Sequence, residues 1–460
     1  MLMIIITVAV IALVVALLIK GFYPQAVLFM GGLVLLACTA IFGWGDLLNA
    51  KQTTNFSGFD IFKVFSTGFS TRIAGLGLTL MSIGGFSRYM EHVGASGALF
   101  AVFEKPLKMI KSPYILLGAS FLISQIMVIF VPSHGGLAML LMVTLYPLLV
   151  RSGVSPMSAL GVIGCAQYMD VGPGSGNAIL AAQTSGIDVS VYFVEWQLPM
   201  FAVITVVLIF IHMIVQRWWD KKEGWVFDPN NVQTLAGGKN MADDKKAPKI
   251  YAILPIIPLF LIIVFSKVAG SSIRMDVVTA MVISTFVAIL FELIRYRGKV
   301  RDLMASFKLF FEGMAKILVS VVSLIVCGEF FAAGLLKSGF MNTLITAADQ
   351  AGFGLATMVI VGGLLLWFFA FVMGSGNAAF FSFAPLIPNV AHVLGVQVVQ
   401  LLFPLQILVS FGRVASPITG AIVAISGLVG VSPFQVAKRT CIPMFFATAM
   451  AYIGYFVFYY

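Results

Sequence analysis

The feature that most constrains the fold of this chain is a series of long apolar segments separated by short polar stretches. An α-helix needs about 20 apolar residues to cross the hydrocarbon core of a bilayer. With 60% hydrophobic and 10% charged residues, the sequence lies outside the composition range of soluble domains. We therefore predict an all-α polytopic membrane protein. Its ten predicted transmembrane helices cover residues 2–19, 24–43, 73–91, 155–185, 190–215, 250–267, 275–294, 312–335, 397–430 and 441–459.

Two further apolar runs, 113–150 and 354–393, are too long for one straight crossing. Each contains a small polar interruption, at 132–136 in the first run and at 374–377 in the second. A bilayer offers no water to free backbone groups, so irregular backbone at this depth has to be covered by protein or face an aqueous cavity. The sequence thus predicts two re-entrant hairpins, each entering and leaving on the same side of the membrane.

The distribution of basic residues predicts the orientation. If the N-terminus lies outside, 21 of the 28 Lys and Arg residues fall in cytoplasmic segments and six in outer segments, while Arg413 lies within the membrane. This asymmetry follows the positive-inside rule and predicts that both termini are periplasmic. It also explains the net charge of +10 without a nucleic acid as partner.

The two halves of the sequence are weakly similar to each other. A shift by 245 positions aligns 86–94 with 331–339, and a shift by 241 aligns 132–136 with 373–377. A shift by 244 aligns Gly and Pro residues around two breaks in the later helices. Each half holds five crossings and one hairpin. Because five is odd, the second half is inverted, which is the plan of many transporters.

This plan divides the chain into two repeats and a linker. The linker is the one extended polar stretch, and we interpret it as a solvated cytoplasmic connector. The first repeat covers 1–215 with hairpin 113–150 and broken helix 155–185, the linker covers 216–249, and the second repeat covers 250–460 with hairpin 354–393 and broken helix 397–430.

The two hairpin tips and the two helix breaks, at 171–177 and 414–420, should converge near the middle of the membrane. Ser and Asn supply neutral hydrogen-bonding groups there, and helix starts favour an anion. The pentapeptide Gly-Ser-Gly-Asn-Ala occurs at both 174–178 and 374–378, outside the repeat frame, and we interpret it as similar chemistry at non-equivalent positions. The predicted substrate-binding residues are Ser133, His134, Gly135, Ser175, Asn177, Ser375, Gly376, Asn377, Arg413, Ser416 and Thr419.

Charged side chains within membrane segments are costly unless they are paired or functional. We assign Arg413 to a substrate carboxylate, which its guanidinium matches bidentately, with a structural salt bridge as the alternative. For Asp170 we consider pairing with Arg413, taking up a coupling proton, binding a cation, or capping by backbone. Glu329 is a further candidate for ion coupling, unless it belongs to the scaffold. His134 either hydrogen-bonds an anion or has a structural role.

Other functional classes explain the sequence less well. Residues 94–97 match the G-x-S-G of rhomboid-type proteases, but they follow a span on the cytoplasmic side without an evident basic partner. A channel gives no reason for paired hairpins, which suit alternating access. The four cysteines are far apart in apolar surroundings, so we expect no metal site and no disulfide. We predict no enzyme and no cofactor.

Several motifs resemble those of the anaerobic C4-dicarboxylate carriers of the Dcu C type, and are most similar to the D-type paralogue. The resemblance runs nearly end to end. It implies a homodimeric elevator, with opposed hairpins in a moving transport domain and a dimerising scaffold, that carries succinate, fumarate, malate or aspartate. The motifs are RIAGLGL at 72–78, YME at 89–91, KSPYI at 111–115, VMGSGNA at 372–378, ASPIT at 415–419 and VSPF at 431–434.

The sequence therefore predicts a secondary active transporter in the bacterial inner membrane. The resemblance implies exchange or coupling to a cation, such as H⁺ or Na⁺. Two positions at the expected site depart from the family's pattern, because His134 replaces a small hydroxylic residue and Asp170 lies at the first break. Another small organic anion, such as a monocarboxylate, citrate or an amino-acid-like solute, is the alternative substrate.

Overall fold

The protein is described by a computed structural model that covers residues 2–48, 52–228, 247–266, 268–273, 275–296, 299–339 and 354–460. Within these ranges the chain is helical and contains no β-strand. The helices of the first half are α1 (Leu2–Ile19), α2 (Pro24–Phe42), α3 (Ser57–Arg72), α4 (Leu78–Val93), α5 (Ala95–Lys108), α6 (Pro113–Phe130), α7 (His134–Arg151), α8 (Pro156–Gly164), α9 (Gly176–Thr184), α10 (Val189–Val191) and α11 (Leu198–Lys222). Those of the second half are α12 (Ile257–Val264), α13 (Val277–Arg295), α14 (Val300–Ser306), α15 (Lys308–Ile317), α16 (Ser323–Lys337), α17 (Leu355–Met373), α18 (Gly376–Phe383), α19 (Ile387–Leu394), α20 (Val398–Ala415), α21 (Gly420–Val429) and α22 (Pro433–Phe458).

Ten helical segments of the described chain are long and apolar enough to cross a membrane, which confirms the prediction of an all-α polytopic protein. The ten are not the same as the predicted ten, because four of them are hairpin arms. Two predicted spans, 2–19 and 250–267, correspond to the shorter apolar helices Met3–Leu18 and Lys249–Val264. Of the other two, 155–185 carries a break, and 73–91 is helical throughout but lies in a helix that is not among the ten.

The two predicted hairpins are present as helix pairs. Helices α6 and α7 are joined by residues 131–133, and α17 is joined to α18 by residues 374–375. A helix of 18 residues is about 27 Å long, close to the thickness of a hydrocarbon core. Helix length therefore allows a full crossing as well, and re-entry stays a prediction.

Two predicted boundaries differ from the structure. The span 73–91 begins earlier, because α3, a π-helical turn at Ile73–Gly77 and α4 form one continuous helix. Polar residues in α3 weaken its hydropathy, which explains why the prediction missed it. The linker 216–249 begins later, because α11 continues to Lys222. Residues 229–246 of that linker lie outside the described residues.

Elements of the two halves correspond in the order that the sequence alignment predicts. The π-helical turn Ile73–Gly77 of the first half corresponds to the turn Leu318–Val322 of the second. The second hairpin arms, α7 and α18, form another such pair, and so do α9 and α21, which follow the two breaks. For each pair, the number of positions between the two starting residues equals the shift that aligns the sequences there, or differs from it by one. This agreement supports the internal duplication.

The helices pack in two groups. In the scaffold group, α2 packs on α16, and α4 packs on α13 and α15. In the core group, α17 packs on α20, α7 packs on α8 and α21, and α11 packs on α22. The groups meet where α16 contacts α18 and where Leu80 of α4 faces Gly176 of α9. Both hairpins and both broken helices thus belong to one group.

The packing of α17 on α20 depends on Gly412. A Cβ at this position would overlap the backbone carbonyl oxygen of Trp367. We expect Gly412→Ala to lower the free energy of unfolding by about 1–3 kcal/mol, because overpacking forces the two helices apart. The measurement is the thermal unfolding of the purified protein in detergent, followed by size-exclusion chromatography.

Gly427→Ala in α21 is the matched control. Among the described residues, no atom from outside this helix lies within 4 Å of a Cβ added at Gly427. This variant should unfold at the wild-type temperature or slightly above it, since alanine has a higher helix propensity than glycine. Equal unfolding temperatures for the two variants would contradict the packing argument.

Candidate functional site

A cavity of about 540 Å³ lies where the two helix groups meet. On the core side its wall contains Pro132 and Ser133 of the first hairpin tip and Asn377 of the second. Gly174 and Gly176 of the first broken helix complete this side. Three of the four predicted interruptions thus meet at one cavity.

The second broken helix lies behind the second hairpin tip. A Cβ at Gly374 would lie 3.0 Å from the carbonyl oxygen of Ile418, and a Cβ at Gly376 would lie 3.0 Å from that of Val409. Gly374 also has a φ of +64°, a conformation that glycine adopts without strain. The glycines therefore allow the tip to lie directly against the backbone of the broken helix.

In both hairpins, a serine caps the N-terminus of the second helix. The Ser133 Oγ accepts a hydrogen bond of 3.2 Å from the Gly136 N–H, and the Ser375 Oγ accepts one of 3.1 Å from the Ala378 N–H. Within the described part of the chain, the first two N–H groups of each arm have no partner. Such free N–H groups at the positive end of a helix dipole can bind an anion.

Arg413 and Asp170 form a buried salt bridge between the two broken helices. The Arg413 Nη1 donates to one carboxylate oxygen at 3.2 Å and Nη2 donates to the other at 3.3 Å. Nη2 also donates to the Gln167 carbonyl at 3.0 Å. The two side chains are only 9% and 5% exposed. Of the roles considered for Asp170, this geometry supports the pairing with Arg413.

Three other side chains complete the surroundings of the Asp170 carboxylate. It accepts hydrogen bonds from the Asn177 amide at 2.6 Å, the Gln167 amide at 2.8 Å and the Ser410 hydroxyl at 3.1 Å. A carboxylate offers about four lone-pair sites. The two oxygens are therefore saturated by protein groups.

Two glutamines that the sequence analysis missed hold the backbone at the first break. Gln197 and Gln406 donate to the Asp170 carbonyl at 3.0 and 2.8 Å, and the Gln197 Oε1 accepts from the Gly172 N–H at 2.9 Å. Both glutamines are fully buried. They replace the hydrogen bonds that the interrupted helix has lost. The sequence signal that could have identified these two glutamines is an amide side chain within an apolar segment.

The two identical pentapeptides have different surroundings. Asn177 is buried and its amide donates to Asp170. Asn377 is half-buried in the cavity wall, and its side chain forms no hydrogen bond with any residue that the structure describes. The interpretation that both peptides have similar chemistry is therefore not supported. One asparagine is part of the polar network, while the other is available to a ligand.

His134 contacts the first broken helix. Its Nε2 lies 3.2 Å from the carbonyl oxygen of Gly164, and the side chain is half-buried. Gly135, the next residue, is exposed. This hydrogen bond supports the structural role considered for His134. It occupies Nε2, so only the other ring nitrogen is left for an anion.

Three other predicted site residues lie outside the cavity wall. Ser175 is buried at the start of α9, where its side chain makes no capping hydrogen bond. The Ser416 Oγ accepts a hydrogen bond from the Ile418 N–H at 3.3 Å, and the Thr419 hydroxyl donates to the Arg413 carbonyl. Ser416 and Thr419 thus organise the second break.

Glu329 pairs with Arg72 on the scaffold group. Its carboxylate accepts hydrogen bonds of 2.7 Å from Nε and 2.6 Å from Nη2 of that arginine. Neither residue lies in the wall of the cavity. This arrangement supports the scaffold role for Glu329.

The scaffold side of the cavity contains charged residues that were not among the predicted site residues. Arg88 and Glu91 lie on α4, and Glu312 and Lys316 lie on α15. Their sequence signal was a pair of charges three or four residues apart at the end of an apolar segment. Such a signal also fits any helix end near the membrane surface, which is why it was not specific.

An all-helical membrane fold in which two helix hairpins and two broken helices surround a buried polar network is that of a membrane transporter. The chain belongs to the C4-dicarboxylate anaerobic carrier family, DcuC, whose sequence profile matches residues 2–460. This membership confirms the predicted family. It also confirms the prediction of a transporter rather than an enzyme.

Two relatives match most of the chain. The probable anaerobic C4-dicarboxylate transporter DcuC of Vibrio cholerae is 33% identical over 437 residues, which cover 95% of this chain and 93% of the relative. The anaerobic C4-dicarboxylate transporter DcuC of Escherichia coli K12 is 32% identical over 426 residues, or 93% and 90% of the two chains.

A solved structure shows the same fold. The YdaH transporter of Alcanivorax borkumensis, whose crystal structure was described as having an unusual topology, superposes with a TM-score of 0.59. The match covers 95% of this chain and 99% of the other, at 16% sequence identity. It supports the overall arrangement of helices.

The saturated salt bridge predicts a large loss of stability when one partner is removed. Asp170→Ala leaves the Arg413 guanidinium buried without its carboxylate, which should cost about 3–5 kcal/mol. Glu329→Ala is the matched control, because Arg72 and Glu329 are 38% and 19% exposed, so this pair is less buried and its loss should cost less. Thermal unfolding in detergent compares the two variants.

The double variant Asp170→Ala/Arg413→Ala tests the cause of this loss. It removes both charges, so it should be more stable than Asp170→Ala alone. If Asp170→Ala unfolds at the same temperature as Glu329→Ala, the pair does not hold the broken helices together.

Proposed function

We propose that this protein is a secondary active transporter of C4-dicarboxylates, such as succinate, fumarate, malate and aspartate, in the bacterial inner membrane. The observation that carries the proposal is the convergence of both hairpin tips and the first helix break on one cavity. The family and its two DcuC relatives are named for C4-dicarboxylates, which supports the substrate class. No observation favours a monocarboxylate, citrate or an amino-acid-like solute.

The tips supply neutral groups for a carboxylate. Ser133 is exposed in the cavity wall, and Asn377 offers an amide without a protein partner among the described residues. The free N–H groups at the starts of α7 and α18, including those of Gly135 and Gly376, add donors. We propose that these groups hold the substrate without a fixed charge, which permits release.

In this proposal the pair of Arg413 and Asp170 positions the site without lining the cavity. A Cβ at Gly376 would lie 3.5 Å from the Arg413 Cβ, so the arginine packs against the second tip. Asp170 connects it to the first break. The other predicted residues, Ser175, Asn177, Ser375, Ser416 and Thr419, then keep the tips and breaks in place.

We propose that transport follows an elevator mechanism. The core group, which contains both hairpins and both broken helices, moves against the scaffold group of a homodimer. The packing supports this division, because the hairpins contact the broken helices more extensively than they contact the scaffold. Inverted repeats and re-entrant hairpins belong to the same proposal, since they give the core two related orientations.

The charge distribution supports a cavity that opens to the cytoplasm. Arg88, Glu91, Glu312 and Lys316 lie at the cavity, in segments that the positive-inside rule assigns to that side. The same rule supports periplasmic termini.

Coupling to H⁺ or Na⁺, or exchange against a second dicarboxylate, drives transport in this proposal. The Asp170 carboxylate is saturated with hydrogen bonds, and Glu329 is paired with Arg72. The proposed coupling therefore leaves both carboxylates in their ion pairs. Each coupled ion biases the equilibrium between states by its differential affinity for them.

Transport by purified protein in proteoliposomes tests the function. We expect saturable uptake of labelled succinate, competition by fumarate and malate, and stimulation by internal unlabelled succinate. Imposed H⁺ and Na⁺ gradients identify the coupling. Uptake that does not saturate, or that citrate and monocarboxylates inhibit as strongly as fumarate, would contradict the proposal.

Asn377 allows a sharper test of the site. Asn377→Asp places a negative charge in the cavity wall and should abolish succinate uptake, because a dianion is repelled at close range. Asn377→Gln keeps the amide and should retain part of the activity. Both variants should unfold near the wild-type temperature, since the side chain has no hydrogen-bond partner in the described structure. Wild-type uptake by Asn377→Asp would remove this residue from the site.

A further inference from the structure

Three of the four charged side chains in the cavity wall are compensated by a neighbour. The Arg88 Nη1 lies 3.4 Å from a Glu91 carboxylate oxygen, and the Glu312 carboxylate lies 3.4 Å from the Nζ of Lys308. Lys316 forms no salt bridge with any residue that the structure describes. Its ammonium group is therefore not held by a direct salt bridge.

Lys316 lies deeper than the helix end. A Cβ at Gly84 would lie 3.0 Å from the Gly313 carbonyl oxygen, and a Cβ at Gly85 would lie 2.8 Å from the Phe310 carbonyl oxygen. These contacts show that α4 and α15 run antiparallel at a close crossing. Lys316 consequently lies near the level of Gly84, further from the end of α4 than Arg88.

The internal duplication gives this part of the scaffold no acidic partner from Gly84. Aligning the two π-helical turns places Ile317, the neighbour of Lys316, at the position of Arg72. The same alignment places Gly84 at the position of Glu329. Arg72 pairs with Glu329, whereas Gly84 packs on Ile317 and has no carboxylate. The scaffold ion pair of one half is thus an apolar contact in the other half.

The core group has no free cation for a second carboxylate at this cavity. Among the described residues, the cavity wall contains no Lys or Arg from the core helices, and Arg413 is occupied by Asp170. The tips can hold one carboxylate through neutral donors. A dianion has a second carboxylate, and a lysine on a flexible stem is suited to bind it.

We infer that Lys316 is a substrate-binding residue of the scaffold, which holds the second carboxylate of a dianion while the cavity faces the cytoplasm. This inference rests on the proposed function and on its elevator mechanism. Because Lys316 stays with the scaffold when the core moves, it strengthens binding in only one of the two states. The protein then binds dicarboxylates more tightly from the cytoplasmic side.

The test is succinate exchange by protein reconstituted in a single, protease-verified orientation. Lys316→Gln should raise the half-saturating succinate concentration at the cytoplasmic face about tenfold, the effect of one charge-assisted hydrogen bond. The value at the periplasmic face should not change. Lys316→Arg keeps the charge and should stay close to wild type.

Lys105→Gln is the matched control. Lys105 lies on α5, its side chain is exposed, and it is not in the cavity wall. Its removal should leave the half-saturating concentration unchanged at both faces. If folded Lys316→Gln protein does not transport succinate at all, the Lys316→Arg variant decides. Transport by Lys316→Arg supports the inference, and the lack of it overturns the inference.

The outcomes separate this inference from the proposed function. If wild-type protein shows saturable succinate exchange and Lys316→Gln has wild-type values at both faces, the inference is wrong and the function stands. An equal increase at both faces also overturns it, because Lys316 would then act in both states. If wild-type protein does not exchange succinate, the proposed function itself is wrong.

Discussion

The buried salt bridge between Asp170 and Arg413 is the interaction on which the arrangement of the core group depends. A helix can be interrupted within a bilayer only where protein groups replace the hydrogen bonds that the break removes. Asp170 and Arg413 join the two broken helices, and Arg413 also donates to the Gln167 carbonyl. The amides of Gln197 and Gln406 donate to the Asp170 carbonyl at the first break. The Thr419 hydroxyl donates to the Arg413 carbonyl at the second. The hairpin tips lie against these breaks, so the position of the cavity follows from the same network.

The structure separates the residues that maintain the site from those that face it. The charged and amide groups around Asp170 form hydrogen bonds with one another. This makes the network rigid and leaves few hydrogen-bonding groups for a solute. The cavity wall of the core contains neutral groups, Ser133 and Asn377. A carrier gains from this division, since a substrate that is bound without a fixed countercharge is more easily released. Lys316, the charged side chain of the wall that forms no salt bridge within the described structure, belongs to the scaffold.

The two halves differ at the position of the scaffold ion pair. Arg72 and Glu329 pair in one half, and the internal alignment places Ile317 and Gly84 at their positions in the other. There, Gly84 permits a close helix crossing instead of supplying a carboxylate. The ion pair of one half is thus replaced by an apolar contact in the other, because a glycine has no side chain with which to pair.

The sequence alone determined the membrane class, the hairpins, the breaks and the family, because apolar length, Gly and Pro interruptions and short motifs are local properties of the chain. The repeat was detectable for the same reason. Only the tertiary structure decided which polar residues meet: it paired Arg413 with Asp170, assigned Asn177 to the network and Asn377 to the cavity, and brought Lys316 to the wall. A side chain's partners depend on helix crossings between residues that are far apart in sequence, and no local pattern contains that information.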